Sequence, residues 1–261
     1  MIPCAVSIPE TNLDEWLETV ADTARIRHIE LPAVRLRAPD NAMAWAEQLG
    51  LRLLHARELL PANLAPYVAE QPLRDREDLR NCLQQALEQC RDAGGAYASL
   101  DVGLDRMPDA AAADGLTARV RLLRALLPVA EHGRVTLGVQ VRVPPPFPGS
   151  RAWHHAANLV HEVMHPRCRL TLDLVPAEFD TDFDVAAFVR RCCFTAGLLR
   201  FHYRPDLGEE PAPARHRLWA AALVRHGFRG GVVFVPDAPV LAPACLCGHA
   251  DRCAAAYLEQ A

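Results

Sequence analysis

The sequence contains no lysine, so all 28 of its basic residues are arginines. This absence excludes Schiff-base catalysis and a phosphate-binding P-loop, because both depend on a lysine amine. No G-x-G-x-x-G motif follows the first strand-like segment, residues 4–8, which argues against a dinucleotide-binding fold. We therefore expect neither a lysine-dependent enzyme nor a dinucleotide-binding enzyme.

Long apolar runs and a basic amino-terminal segment are also missing. No run of 18 apolar residues occurs, and the start, MIPCAVSIPE, has no feature of an export signal. The nine cysteines are scattered and include the adjacent pair Cys192 and Cys193, a distribution typical of reduced thiols. A net charge of −4 argues against a general nucleic-acid binder. We expect a soluble, cytoplasmic protein that binds neither membranes nor nucleic acid.

Short apolar strands alternate with amphipathic helices along the whole chain. The strand-like segments begin near residues 4, 28, 51, 97, 136, 169, 197 and 231. This order calls for a parallel sheet, and closure into a barrel removes the edges of that sheet. The length of 261 residues is typical of one such barrel. We predict an α/β fold with a single (β/α)8 TIM-barrel domain over residues 1–261; an open, doubly wound sheet is the alternative.

Polar side chains occur at or just beyond the carboxyl ends of these strands, where barrel enzymes carry their active sites. They are Glu30, His55, Asp101, Gln140, Arg142, Asp173, His202 and Arg204. Residue parity on strands five to seven directs Gln140, Asp173 and His202 into the barrel, so we expect their side chains to converge. The segment 57–74 is predicted to be a long loop over this site. In the alternative interpretation, Arg142 merely neutralises Asp173 or Asp101 at a salt-bridged barrel mouth.

Several segments together resemble the xylose isomerase-like barrels, a superfamily of sugar and sugar-phosphate isomerases and epimerases that also contains the apurinic-site endonucleases. The segments are HIEL at 28–31, ALEQCRDAGGAYASLDVG at 86–103, HGRVTLGVQ at 132–140, RLTLDL at 169–174, LLRFHYRPD at 198–206 and RHGFRGGVVFV at 225–235. Their order and spacing, rather than any one of them, carry the resemblance. It implies a TIM barrel with a site for a small carbohydrate.

The resemblance also implies a divalent metal, held by a Glu on strand five, an Asp on strand six, a His on strand seven and a Glu on strand eight. These positions carry Gln140, Asp173, His202 and Val235 here. Mg²⁺ and Mn²⁺ need several anionic oxygens, and Gln140 offers only a neutral carbonyl. We therefore predict no cofactor. A divalent Mg, Mn or Zn ion on Asp173, His202 and Gln140 is the alternative, which Asp237 would assist if strand eight extends that far.

Two functions follow from the resemblance and the polar strand ends. In the first, the protein is a sugar or sugar-phosphate isomerase or epimerase, with Asp173, His202 and Gln140 around the carbonyl and hydroxyl groups of the substrate. The further substrate-binding residues would be Glu30, His55, Asp101, Arg142 and Arg204. In the second, the protein is a pseudoenzyme, either a ligand-binding protein or a partner subunit. A carbohydrate-like ligand is the expected partner, and a homo-oligomer is left open.

Residues 161–165, HEVMH, match the H-E-x-x-H motif of zinc proteases. Pro166 ends the helix directly after the second histidine, and an outer helix of a barrel would direct both histidines away from the site. We therefore do not expect a protease.

Cys245, Cys247, His249 and Cys253, in the predicted loop after strand eight, include enough soft ligands for a zinc site. Their spacing matches no common zinc knuckle, and ordinary buried thiols are the alternative.

Overall fold

The computed structural model of the protein describes residues 1–37, 42–60, 77–103, 112–143, 151–176, 179, 182–204, 213–237 and 242–259. The strands in these ranges are β1 (Cys4–Ser7), β2 (His28–Pro32), β3 (Arg52–Arg57), β4 (Tyr97–Leu100), β5 (Thr136–Arg142), β6 (Cys168–Leu174), β7 (Ala196–Tyr203) and β8 (Gly231–Pro236). The helices are α1 (Leu13–Ala21), α2 (Ala33–Arg37), α3 (Ala42–Gln48), α4 (Glu77–Asp92), α5 (Ala112–His132), α6 (Arg151–Val163), α7 (Val185–Cys192), α8 (Pro213–Arg225) and α9 (Pro243–Leu258).

The strands form a closed parallel barrel in the order β1 to β8, with β8 paired to β1. The predicted (β/α)8 fold is therefore confirmed, and the open doubly wound sheet is excluded. Each strand is buried on both faces, because one face meets the helices and the other the barrel interior. This explains why β6, CRLTLDL, is buried along almost its entire length although its side chains alternate in direction.

The core has two parts. The larger part lies between the strands and the surrounding helices. The smaller part is a separate cluster of strand residues, formed by Ala5, Leu54, Leu198, Val233 and Val235, with Tyr97 packed against it. A cluster made of strand residues that is separate from the helical layer fills the interior of the barrel. The interior is therefore apolar along β8, and polar side chains enter it from the other strands.

The last helix begins earlier than the sequence pattern predicts. The sequence pattern predicts a loop at Cys245, Cys247 and His249, whereas α9 begins at Pro243, with Ala242 extended before it. Proline favours the first turn of a helix, because its missing N–H has no partner there in any case. The predicted loop with cysteines after strand eight is therefore largely helical.

The predicted loop over residues 57–74 lies outside the described residues from residue 61 onwards.

The H-E-x-x-H segment does not form a zinc protease site. Helix α6 ends at Val163, and Met164 has a φ of 53°, so the second histidine lies beyond the helix. His161 is exposed, and Nδ1 of His165 accepts a hydrogen bond from the backbone N–H of Arg167 at 3.1 Å. The two imidazoles therefore lack the one-turn spacing on one helix that the motif needs.

No helix in the described part of the chain is both long and apolar enough to span a membrane. All nine cysteines are free thiols, in agreement with the prediction of reduced thiols.

Two glycines offer a test of this packing. A Cβ on Gly230 would lie 2.1 Å from the carbonyl oxygen of Gly197 on β7 and 2.3 Å from the ring of Phe228. Because the first contact is with backbone, we expect Gly230→Ala to lower the free energy of unfolding by about 2–3 kcal/mol. A Cβ on Gly248 in α9 would contact only Nη1 of Arg252, at 3.7 Å. Because alanine favours a helix more than glycine does, Gly248→Ala should raise the free energy of unfolding by about 0.5–1 kcal/mol. Urea denaturation compares the two variants, and equal midpoints would contradict this packing.

Candidate functional site

Arg200 on β7 is the centre of the polar part of the barrel interior. Its side chain is almost entirely buried, and the residue is 4% exposed. Nε donates to Oε2 of Glu30 at 2.9 Å, and Nη2 donates to Oε1 of the same carboxylate at 2.8 Å. Nη1 donates to Oδ1 of Asp173. One guanidinium therefore joins a carboxylate on β2 to a carboxylate on β6.

Glu30 has a second partner on the neighbouring strand. Glu30 and His55 are paired in register on β2 and β3, and both side chains are fully buried. Nδ1 of His55 hydrogen-bonds to Oε2 of Glu30, and Nε of Arg57 lies 3.8 Å from Oε1. Glu30 is thus surrounded by donors, which is how a buried carboxylate is stabilised.

Asp173 connects this buried pair to the rim of the barrel. Nε2 of Gln140 donates to Oδ2 of Asp173 at 2.7 Å, and Nε2 of His202 lies 2.8 Å from Oδ1. Nδ1 of His202 lies 3.4 Å from Oδ1 of Asp237. Ser99 donates to Oε1 of Gln140 at 3.4 Å. The structure therefore brings together Gln140, Asp173 and His202, the three predicted catalytic residues, and adds Asp237 just beyond β8.

The charges of the network depend on one another. Burial raises the pKa of Glu30, but the charge of Arg200 and the contact with His55 outweigh it and hold this pKa well below its ordinary value. The pKa of Asp173 is lowered in the same way. Burial raises this pKa, but the charge of Arg200 and the hydrogen bond with His202 lower it by more. Burial disfavours the charge of Arg200, yet both carboxylates raise its pKa overall. Burial lowers the pKa of His55. Two carboxylates and one guanidinium are thus charged beside a neutral imidazole.

Arg204 belongs to the rim, as predicted. Its Nη1 donates to Oδ2 of Asp237 at 3.3 Å, so it is linked to His202 through that carboxylate. Four of the rim residues are partly exposed: Gln140, His202, Arg204 and Asp237. Glu30, His55, Asp173 and Arg200 form the buried layer that positions them.

Asp101 and Arg142 are both exposed, Asp101 just after β4 and Arg142 at the end of β5. Asp101 is exposed, and its carboxylate accepts the backbone N–H of Gly103 at 2.7 Å. Arg142 is exposed at the end of β5, although it is in register with Asp173. Arg200 hydrogen-bonds to Asp173 and supplies a cation there, whereas the interpretation in which Arg142 neutralises Asp173 or Asp101 stays a prediction. The stagger of the barrel brings the β7 guanidinium inside, below the rim.

The donor atoms at the predicted metal position do not fit a divalent metal ion. Oδ1 of Asp173 is taken by Arg200 and His202, and Oδ2 accepts the amide N–H of Gln140. Val235, the fourth position, is a buried apolar side chain. A metal ion here would also face the positive charge of the guanidinium. This geometry favours the metal-free prediction over a metal held by Asp173, His202 and Gln140.

The four residues of the predicted zinc motif are not brought together as a set. Cys245 is exposed and Cys247 is buried, both near the start of α9. Sγ of Cys253 lies 3.5 Å from Nε2 of His249, one helical turn away. His216 on α8, absent from the predicted set, joins these two residues in a group of potential metal ligands. No local pattern in the sequence indicates His216, because residue spacing does not show which helices pack together.

No family model matches the sequence, and no curated protein does so either. Solved structures do match it. D-psicose 3-epimerase from Clostridium cellulolyticum H10 has a TM-score of 0.70 at 16% identity, covering 99% of this chain and 98% of that chain. A family 2 AP endonuclease from Brucella melitensis has a TM-score of 0.69 at 17% identity, covering 94% and 97%. A sugar phosphate isomerase/epimerase from Parabacteroides distasonis ATCC 8503 has a TM-score of 0.65 at 14% identity, covering 100% and 94%.

The chain therefore has the xylose isomerase-like TIM-barrel fold, which it shares with sugar epimerases and isomerases. The resemblance seen in the sequence is confirmed for the fold.

Proposed function

We propose that the protein binds a sugar or sugar phosphate at the carboxyl end of its barrel without a divalent metal. The observation that carries this proposal is the position of Arg200, whose guanidinium occupies the face of Asp173 that a metal would need. The guanidinium is always charged, so it offsets one of the two negative charges of the buried carboxylates. The protein thus has a cation at the site but lacks the electrophile that a metal would provide.

The rim has the hydrogen-bonding capacity that a polyol requires. Sugar hydroxyls both donate and accept hydrogen bonds, and the partly exposed rim offers an amide at Gln140, an imidazole at His202, a carboxylate at Asp237 and a guanidinium at Arg204. Arginine also suits a phosphate group, because its fork of N–H donors matches phosphate oxygens. The solved structures named above include proteins described as sugar and sugar phosphate epimerases and isomerases, which supports this class of ligand.

A second candidate function is metal-independent isomerisation or epimerisation. The observation that favours it is His202, which lies between the carboxylates of Asp173 and Asp237 at the rim. The contact of Nδ1 with Asp237 is the longer of the two, so Nδ1 is the nitrogen that could leave its partner and move a proton to or from a carbon next to a carbonyl. Gln140 would stabilise the carbonyl oxygen only by a neutral hydrogen bond, which is weaker than a metal or a cation. Any turnover is therefore expected to be slow and insensitive to chelators.

The proposal is tested by thermal shift with a panel of ketoses, aldoses and their phosphates, in the presence of EDTA. A bound ligand at about 100 times its Kd should stabilise the protein by about 2.7 kcal/mol. Gln140→Ala and His202→Ala should remove the shift. His226→Ala, a matched histidine that follows α8 at the opposite end of the barrel, should leave it unchanged.

Two results would contradict the proposal. A shift that appears only after Mn²⁺ or Mg²⁺ is added would contradict metal-free binding. A panel with no response at all would contradict carbohydrate binding. The same samples, analysed for sugar products by chromatography, decide between binding alone and conversion.

We also propose a cytoplasmic location, which the nine free cysteines support.

A further inference from the structure

A buried group of two histidines and one cysteine lies between α8 and α9. One ring nitrogen of His216, one ring nitrogen of His249 and Sγ of Cys253 all lie within 4.8 Å of one another. The three residues are 2%, 2% and 0% exposed. We propose that His216, His249 and Cys253 bind a zinc ion that fastens α8 to α9. This site is separate from the sugar-binding rim and does not depend on the function proposed for it.

The spacing of two of the ligands already suits zinc. His249 and Cys253 are four residues apart on α9, so their side chains lie on one face of the helix. Sγ of Cys253 is 3.5 Å from Nε2 of His249. With Zn–S near 2.3 Å and Zn–N near 2.0 Å, the S···N edge of a tetrahedral site is about 3.5 Å. The ion therefore needs little movement of this pair.

The third ligand, His216, is oriented by a hydrogen bond with a residue outside the group. Nδ1 of His216 lies 2.7 Å from the hydroxyl of Tyr257, which is also fully buried. Histidines that bind metals usually hydrogen-bond through their other nitrogen, and this bond fixes the orientation of the ring. The ring of His216 also forms edge-to-face contacts with the rings of Phe201 and Phe234, with centroids 5.1 Å and 5.5 Å apart. The imidazole is thus constrained by β7 and β8 as well as by α9.

The donor set selects among metals. Two imidazoles and a thiolate are borderline and soft ligands that suit zinc, and the group contains no carboxylate of the kind that Mg²⁺ prefers. The ring of His249 is stacked on Tyr203, with centroids 4.4 Å apart. A zinc ion would accept one lone pair from each of the three residues and would replace the hydrogen bond between Cys253 and His249.

The surroundings favour a structural site over a catalytic one. The three ligand residues are themselves buried, and the buried hydroxyl of Tyr257 borders the group through its contact with His216. The fourth coordination position thus faces protein, as in closed structural zinc sites, whereas catalytic sites keep an open position for water. Full burial also means that zinc enters during folding and that chelators remove it slowly from the folded protein.

The proposal is tested by expressing the full chain in zinc-supplemented medium and measuring the metal bound to the purified, folded protein. We expect about one zinc ion per chain in the wild type and in Cys247→Ser, and below about one tenth in Cys253→Ser. Cys247 is the matched control, because it is also buried on α9 but lies outside the group. Wild-type protein with less than about one tenth of an equivalent, or Cys253→Ser with the wild-type amount, would overturn the proposal.

A second measurement keeps the test valid if Cys253→Ser fails to fold. The wild type is refolded from denaturant with Co²⁺ in place of zinc, and its near-ultraviolet absorbance is recorded. A cysteine-ligated site produces a thiolate-to-cobalt charge-transfer band, which we expect in the wild type and in Cys247→Ser. Refolded wild type without this band would overturn the proposal. Sugar binding at the rim should be the same in all of these samples, so failure of one proposal is distinguishable from failure of the other.

Discussion

Arg200→Met is expected to lower the free energy of unfolding by about 3–5 kcal/mol. Methionine keeps much of the volume of the side chain but removes the charge, and it leaves Glu30 and Asp173 as buried carboxylates without their shared cation. Removing one member of a buried ion network is strongly destabilising, because the remaining charges stay desolvated. Urea denaturation at neutral pH, followed by circular dichroism, measures the change.

The matched control is Arg225→Met, which removes an exposed arginine at the end of α8. Its effect should stay within about 0.5 kcal/mol, as is typical of surface substitutions. The double variant Arg200→Met with Glu30→Gln should be less destabilised than the sum of the single variants, because the second change removes one of the charges left unpaired by the first. An Arg200→Met protein with the wild-type midpoint would show that this guanidinium does not stabilise the fold.

Glu30→Gln is expected to destabilise the protein by a similar amount, about 3–5 kcal/mol, and to do so in a pH-dependent way. A glutamine has only one acceptor oxygen where the carboxylate receives two hydrogen bonds from Arg200 and one from His55. Its NH₂ group would also face donors. The comparison requires urea denaturation of wild type and variant at about pH 7, about pH 4 and about pH 3.

The direction of the pH effect follows from the lowered pKa of Glu30 in the folded protein. A carboxyl with a lowered folded pKa stabilises the fold fully above its unfolded pKa of about 4.3, and this stabilisation is lost as the pH falls towards the folded pKa. The wild type should therefore be more stable than Glu30→Gln by a constant amount above about pH 5, and the difference should shrink below about pH 4. A difference independent of pH down to acid unfolding would contradict the ionised state of Glu30.

The fold could be predicted from the sequence because its signals are local. Each strand is a short apolar run and each helix has a buried face with helical periodicity, so element order needs no knowledge of distant contacts. Parity along a strand is also local, and it correctly directed Gln140, Asp173 and His202 to one place. Their functional roles stay predictions. The start of α9 is not evident from the sequence, because Pro243 fits a loop as well as the first turn of a helix.

Arg200 was missed because its role depends on contacts across the barrel. Its partner Glu30 is 170 residues away in the sequence, and no local pattern indicates this pairing. A weaker signal was present, since arginine is almost never fully buried unless it is paired, and Arg200 interrupts the apolar strand LLRFHY at 198–203. His216 was missed for a related reason: its neighbours on α9 are known only after α8 and α9 are packed together.

The long sequence separation between Glu30 and Arg200 also matters during synthesis. A chain growing at about 5–20 residues per second exposes Glu30 for roughly ten to thirty seconds before the arginine 170 residues later is added. Through that interval β2 cannot enter a dry interior, because its carboxylate would be buried without the guanidinium. We therefore expect the nascent amino-terminal strands to remain hydrated until β7 has been made. The ion network thus links the packing of β2 to the synthesis of β7.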